Sequence, residues 1–218
     1  YFRTLLHIPA RKLVVIPNGA GLPSLPDQTD IPPKTSTQSL IVSVGRLERY
    51  KGHQHLITAL PKVRERYADA QLLILGTGPY ESSLRLLAQR VGMAEYVAFR
   101  SVPASDRQKM AEILSQAMLV ALLSEYEAHP LAVMEALALQ RPVLVADTSG
   151  LREIAEQGLV RAVSLQSTPE EIARVALQQI VDPLIPPASF VLPTWDECTE
   201  QLQAIYNRCI EERNLCVS

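Results

Sequence analysis

Apolar residues in this chain fall into two alternating patterns. The first is a set of short unbroken runs at residues 40–45, 71–76, 96–99, 118–123, 142–146 and 159–164. Their length and continuity predict strands buried on both faces. The second is a three-to-four-residue recurrence between the runs, which predicts helices. Leu56, Leu60, Val63 and Tyr67 share one face of a helix over 54–67, and Leu84, Leu87, Ala88 and Val91 one face of the next. Further helices are predicted over 106–116, 130–139, 151–157 and 169–181, the last opened by Thr168 as its cap. An earlier run, residues 13–16, reads as a short strand ending in the turn Pro17-Asn18-Gly19.

Strands and helices that alternate in this way predict a parallel sheet covered on both faces, a doubly wound, Rossmann-like α/β domain. The expected organisation is one such domain over residues 1–182. Within it, residues 21–38, with Pro23, Pro26, Pro32 and Pro33, form a surface linker. A proline-rich connection over 183–194 follows, holding Pro183, Pro186, Pro187 and Pro193. Thr194 then caps a final helix over 195–213, with a stripe of Trp195, Cys198, Leu202, Ile205, Tyr206 and Cys209.

Composition narrows the classes. With 47% apolar and 20% charged residues over 218 positions, the chain can bury a full core. Its net charge of −2 gives no general attraction to nucleic acid or acidic lipid. No apolar stretch approaches the ~18 residues of a membrane span. Cys198, Cys209 and Cys216 are odd in number and lack metal-ligand spacing, so reduced thiols and a cytoplasmic setting are expected. The chain starts at Tyr1 rather than methionine and reads as a piece of a longer protein.

In an open parallel sheet, ligands bind beyond the C-terminal strand ends, and four features fall there. Gly45-Arg46 follows the first long strand, with Lys51-Gly52 opening the next helix. A guanidinium and an ammonium on one loop suit a diphosphate, though Glu48 on the same loop also allows a merely solvated turn. Gly76-Thr77-Gly78 ends the next strand, but Glu81 stands where a dinucleotide fingerprint needs its third glycine. Glu127 and Glu135 straddle a helix start, with Pro130 expected at the first helical position. The amides of Leu131, Ala132 and Val133 are expected to be free at the positive end of that helix. The competing reading is a solvated loop glutamate followed by an ordinary helix glutamate. Last, Asp147-Thr148-Ser149-Gly150 offers either close backbone approach or a simple turn. Taken together, the four describe a site for a sugar joined to a nucleoside diphosphate.

These residues resemble the donor domain of retaining glycosyltransferases of the glycogen-synthase and mannosyltransferase-like group, which has two Rossmann domains (the GT-B architecture). The similarity runs through residues 14–19, 42–47, Lys51-Gly52, 73–79, Glu127–Glu135 with its E-x7-E spacing, Arg141-Pro142-Val143 and Ser149-Gly150. It implies that Arg46 and Lys51 bind the diphosphate, with Gly45 and Gly78 beside them. Glu127 would contact the donor sugar near the reacting carbon, and Glu135 would accept from the ribose hydroxyls. Backbone near Val102 would hold the base. The implied partner is a nucleotide sugar, UDP-linked in preference to GDP- or ADP-linked, with no cofactor and no metal. An acceptor domain N-terminal to this chain is implied to be absent, and the last helix would pack against it.

The sequence departs from the group at Ala128-His129-Pro130, where Gly-Phe-Gly is usual, at Gln140 and at Ser149. Proline donates no amide, and His129 would either touch the donor or pack. Three other readings remain: a non-catalytic sugar-nucleotide-binding module, a sugar-nucleotide epimerase, and a dinucleotide oxidoreductase, the last weakened by the missing glycine.

Overall fold

A computed structural model describes residues 6–19, 39–187 and 190–215. The chain divides into two compact units, Leu22–Val191 and a smaller one made of Tyr1–Gly21 with Leu192–Ser218. The predicted linker at 21–38 lies outside the described residues.

The larger unit carries six parallel strands: β1 (Leu40–Val44), β2 (Gln71–Leu75), β3 (Val97–Arg100), β4 (Leu119–Leu122), β5 (Val143–Ala146) and β6 (Arg161–Val163). Their order across the sheet is β3-β2-β1-β4-β5-β6. The six helices between and after them are α1 (His53–Arg66), α2 (Glu81–Arg90), α3 (Arg107–Ser115), α4 (Leu131–Ala138), α5 (Ser149–Glu156) and α6 (Pro169–Val181). This is the doubly wound α/β domain the sequence predicts.

The reason is visible in burial. All residues of β4 and β5 are buried, as are the middle of β1 and four positions of β2. A strand with no wet face needs helices on both sides. The α1 helix packs on α2 and α6, while α3 packs on α4. Right-handed crossovers in opposite directions from β1 and β4 place these groups on opposite faces. Leu56, Ile57, Leu60 and Val63 fill the α1 side, and Val133, Ala136 and Leu137 the α4 side. The Thr168 cap forms a full capping box, its hydroxyl accepting from Glu171 N and the Glu171 carboxylate from Thr168 N.

Sequence order reverses between β1 and β4, so the loops that leave these two strands border the crevice where such sheets bind ligands. Gly52, at φ 75°, joins a short 3₁₀ turn (Arg49–Lys51) to α1. A Cβ there would lie 1.7 Å from the Leu123 carbonyl oxygen. Close by, Glu125 N donates to Tyr50 O at 2.8 Å. The two loops therefore touch through their backbones.

In the smaller unit, residues 13–19 form no strand, contrary to the sequence expectation. Val14 and Val15 are exposed there, and a short apolar run without a ladder partner leaves its amides to water. Gly19 sits against the start of the last helix, α7 (Trp195–Leu215), where an added Cβ would lie 2.3 Å from Trp195 N. Thr194 N donates to Glu197 Oε2 and Glu197 N to Thr194 Oγ1, so the expected cap is present. Trp195, Leu202, Tyr206 and Ile210 of α7 are exposed.

Two glycines with nearly equal torsions separate strain from space. Gly158 has φ 74° with nothing near its would-be Cβ. Gly158→Ala is expected to cost about 1 kcal/mol, the left-handed penalty alone. Gly52→Ala must also displace the Leu123 carbonyl and is expected to cost more than about 3 kcal/mol. Urea midpoints of the two variants measure the difference, and equal losses would refute the close-contact account.

Candidate functional site

The β1 loop carries Lys51 to the β4 loop. Lys51 Nζ lies 2.6 Å from Glu127 Oε1, and both side chains are largely buried, 16% and 13% exposed. Ser124, fully buried at the end of β4, donates its hydroxyl to the same oxygen at 2.8 Å. The ammonium has three donors and spends one here, leaving two for another acceptor. At such a pair, removal of one partner strands a charge and costs on the order of 3 kcal/mol.

The start of α5 holds this loop from the other side. Glu127 N donates to Ser149 Oγ at 2.8 Å, Gly150 N to Glu127 O at 3.0 Å, and Thr148 Oγ1 to Ser124 O at 2.8 Å. Gly150 permits close approach: its would-be Cβ lies 2.8 Å from the carbonyl oxygens of Glu127 and Ala128. Ser149, where the resembling group has glycine, adopts φ 40°.

Pro130 proves to be the N-cap of α4 rather than its first residue. Its carbonyl accepts from Val133 N at 3.0 Å and Met134 N at 3.1 Å. Val133 therefore has a partner, contrary to expectation. The Leu131 and Ala132 amides have none among the described residues, and these two donors remain at the positive end of the helix. His129 Nδ1 is enclosed without a hydrogen-bond partner among the described residues.

Arg46 does not join the cluster. Its side chain is 72% exposed and pairs with Glu48 on its own loop at 2.5 Å. Gly45 extends the β1–β2 ladder, donating to Leu75 O at 3.0 Å, and a Cβ there would make only ordinary contact. Gly78 packs on the β1 loop instead of opening space for a ligand, since its would-be Cβ lies 2.4 Å from Leu47 O. Val102 sits half-buried on the loop after β3, at the same edge of the sheet. A concavity of about 590 Å³ at this edge, lined by Glu48, Arg49, Tyr50, Pro79, Tyr80 and Glu125, includes neither Lys51 nor Glu127.

Glu135 departs most from the sequence picture. It is 2% exposed, neither solvated nor ordinary, and Arg107 at the start of α3 donates to its Oε1. Arg107 and His53 are the residues sequence reasoning missed. His53, fully buried at the start of α1, lies 2.8 Å from Ser43 Oγ through Nδ1 and 3.2 Å from Arg46 O through Nε2. A carbonyl only accepts, so Nε2 carries the proton and Nδ1 accepts from the serine. The imidazole thus fixes the backbone beneath Arg46. Its position just after Gly52, at the entry to the predicted helix, was the one available hint. Among the described residues, no group of three or more His, Cys, Asp or Glu is placed to hold a metal ion.

Burial lowers the His53 pKa from its ordinary 6.5, with Lys51 adding to the effect and backbone acceptors at Arg46 and Gly45 opposing it. Below pH 6.5 the unfolded chain therefore takes up a proton that the folded chain resists. Stability is expected to decline as pH falls through that region, and less steeply in His53→Gln, by urea midpoints at several pH values. His55, half-buried and shifted the same way, leaves some slope behind.

Ser149→Ala keeps the left-handed strain and loses a hydrogen bond worth about 1 kcal/mol. Ser149→Gly loses the same bond but relieves strain of about 1–2 kcal/mol. The alanine variant should therefore melt below the glycine variant, and the reverse order would contradict the backbone strain at position 149.

A profile of the family described as Glycosyl transferases group 1 matches residues 26–186. An uncharacterized glycosyltransferase of Methanocaldococcus jannaschii is 32% identical over 136 residues, covering 62% of this chain and 34% of that protein. A GDP-mannose-dependent α-(1-6)-phosphatidylinositol monomannoside mannosyltransferase of Mycobacterium tuberculosis is 28% identical over 147 residues, covering 65% and 38%. The chain thus spans little more than a third of the length of these relatives. The structure of S. aureus TarM determined with UDP superposes with a TM-score of 0.65 at 16% identity, over 82% of this chain and 34% of that one. With about three quarters of its length matched, the chain belongs to the group 1 glycosyltransferase family.

Proposed function

We propose that this chain is the donor-binding half of a retaining glycosyltransferase, which moves a hexosyl group from a nucleoside-diphosphate sugar to a hydroxyl acceptor. The observation that carries the reading is the Lys51–Glu127 pair at the reversal of strand order, beside the two free amides of α4. A diphosphate set between the β1 loop and α4 would take the remaining Lys51 donors and the Leu131 and Ala132 amides. Those groups stabilise charge that grows on the leaving diphosphate during transfer, where fixed donors are most effective. Arg46 would swing in from its exposed pair with Glu48. Such surface pairs contribute little, so leaving one costs little.

Glu127, steadied by Ser124 and Ser149, would hold the donor sugar and favour positive charge on its ring. Its anchoring by three elements suits positioning better than attack. The acceptor would belong to a domain beyond this chain, against which the exposed apolar residues of α7 would pack. That domain would also close over the donor and exclude water. The short match to longer relatives supports this division.

UDP is the proposed nucleotide, in keeping with the TarM complex, while the mycobacterial relative's GDP-mannose makes GDP the comparison to test. Calorimetric titration should show UDP or GDP binding that weakens at least about tenfold in Lys51→Ala. Binding of the bare nucleosides should stay unchanged. Arg46→Ala should weaken the diphosphates less than Lys51→Ala, because its side chain must first be ordered. Equal losses for nucleoside and diphosphate would sink the proposal. Mixed with donor and simple hydroxyl acceptors, the 218 residues alone should yield little or no glycoside, and robust transfer would refute the half-site division.

A further inference from the structure

Glu135 is a carboxylate in a helix that otherwise buries Val133, Ala136 and Leu137. Burying an acid is costly unless it is paired. The pairing comes from one residue, Arg107, whose Nη2 donates to Oε1. The second oxygen, Oε2, takes no hydrogen bond from the described residues. Nor is it fully enclosed: among the described residues, the enclosed side-chain atoms without partners are Gln54 Oε1, His129 Nδ1 and Arg161 Nε. One oxygen is therefore committed, and the other, on a side chain only 3% exposed, has no partner among the described residues.

Arg107 is itself placed firmly. It is the first residue of α3, and Asp106, the cap of that helix, accepts from Lys109 N at 3.0 Å. Its side chain is 38% exposed, so the guanidinium lies between the buried acid and solvent. The loop that delivers it leaves β3 and includes Val102, the position where the base is expected.

We propose that Arg107 is a positioning residue of the nucleoside subsite, one that orients Glu135 so that its free oxygen accepts from a ribose hydroxyl. This rests on the donor-binding reading above, and adds to it a residue that reads the sugar of the nucleotide without touching it. A planar guanidinium fixes the direction of a carboxylate in a way that a flexible ammonium does not. The β3 loop then sets base and ribose together.

The test is titration of UDP and GDP, their 2′-deoxy and 3′-deoxy forms and inorganic pyrophosphate against the wild-type chain, Arg107→Met and Arg107→Lys. The wild type should prefer the better ribonucleotide over at least one deoxy form by about tenfold. Arg107→Met should bring that ratio close to one while pyrophosphate binding is unchanged. Arg107→Lys keeps the charge and so the fold, and should reduce the ratio about threefold. It carries the test if the methionine variant does not fold. A ratio unchanged in Arg107→Lys, or pyrophosphate binding lost in step with the ribonucleotide, overturns the role of Arg107 alone. A wild-type chain that binds a diphosphate but takes ribo and deoxy forms equally overturns this inference and leaves the donor-site reading standing, whereas one that binds no diphosphate overturns both.

Discussion

The backbone of the β1 loop rests directly on the end of β4, and the rest of the candidate site depends on that contact. Gly52 admits the Leu123 carbonyl, and Tyr50 O accepts from Glu125 N. Lys51 is thereby delivered to Glu127 across the point where strand order reverses. A side chain at position 52 would push the loops apart and leave two charged groups half-buried without partners. His53 continues the same arrangement, tying the α1 entry to Ser43 inside β1 and to the carbonyl of Arg46. Sheet, turn and helix entry therefore form one rigid corner.

Three acids at this corner are already paired within the protein. Glu127 faces Lys51, Glu135 faces Arg107, and Glu48 faces Arg46. The edge is thus not a broad cationic surface, in line with the net charge of −2. Selection of an anion there must come from the direction of a few donors more than from long-range attraction, which salt screens over ~10 Å.

The sheet was legible in the sequence because its strands are buried on both faces, and uninterrupted apolar runs are a local signal. Residues 40–45, 71–76 and 118–123 each contain the strand they predict, with small differences at the ends. Residues 13–16 have the same local signal and form no strand, since pairing depends on a neighbour the local sequence does not specify. The glutamate pair was legible as a spacing, but its chemistry was not. Arg107 lies 28 positions before Glu135 and reaches it only because α3 packs on α4. Ser149 read as a lost glycine, yet its hydroxyl holds the Glu127 amide. Long-range side-chain partners of this kind follow from packing, and no periodicity encodes them.

The two outermost strands of the sheet, β3 and β6, are four and three residues long. Each ends or begins with arginine, Arg100 in one and Arg161 in the other. An edge so short gives an incoming chain few unpaired amides to join, and beside β3 the exposed Arg100 resists desolvation. Six parallel strands thus end on edges that give a seventh little to pair with, a geometry that disfavours edge-to-edge growth.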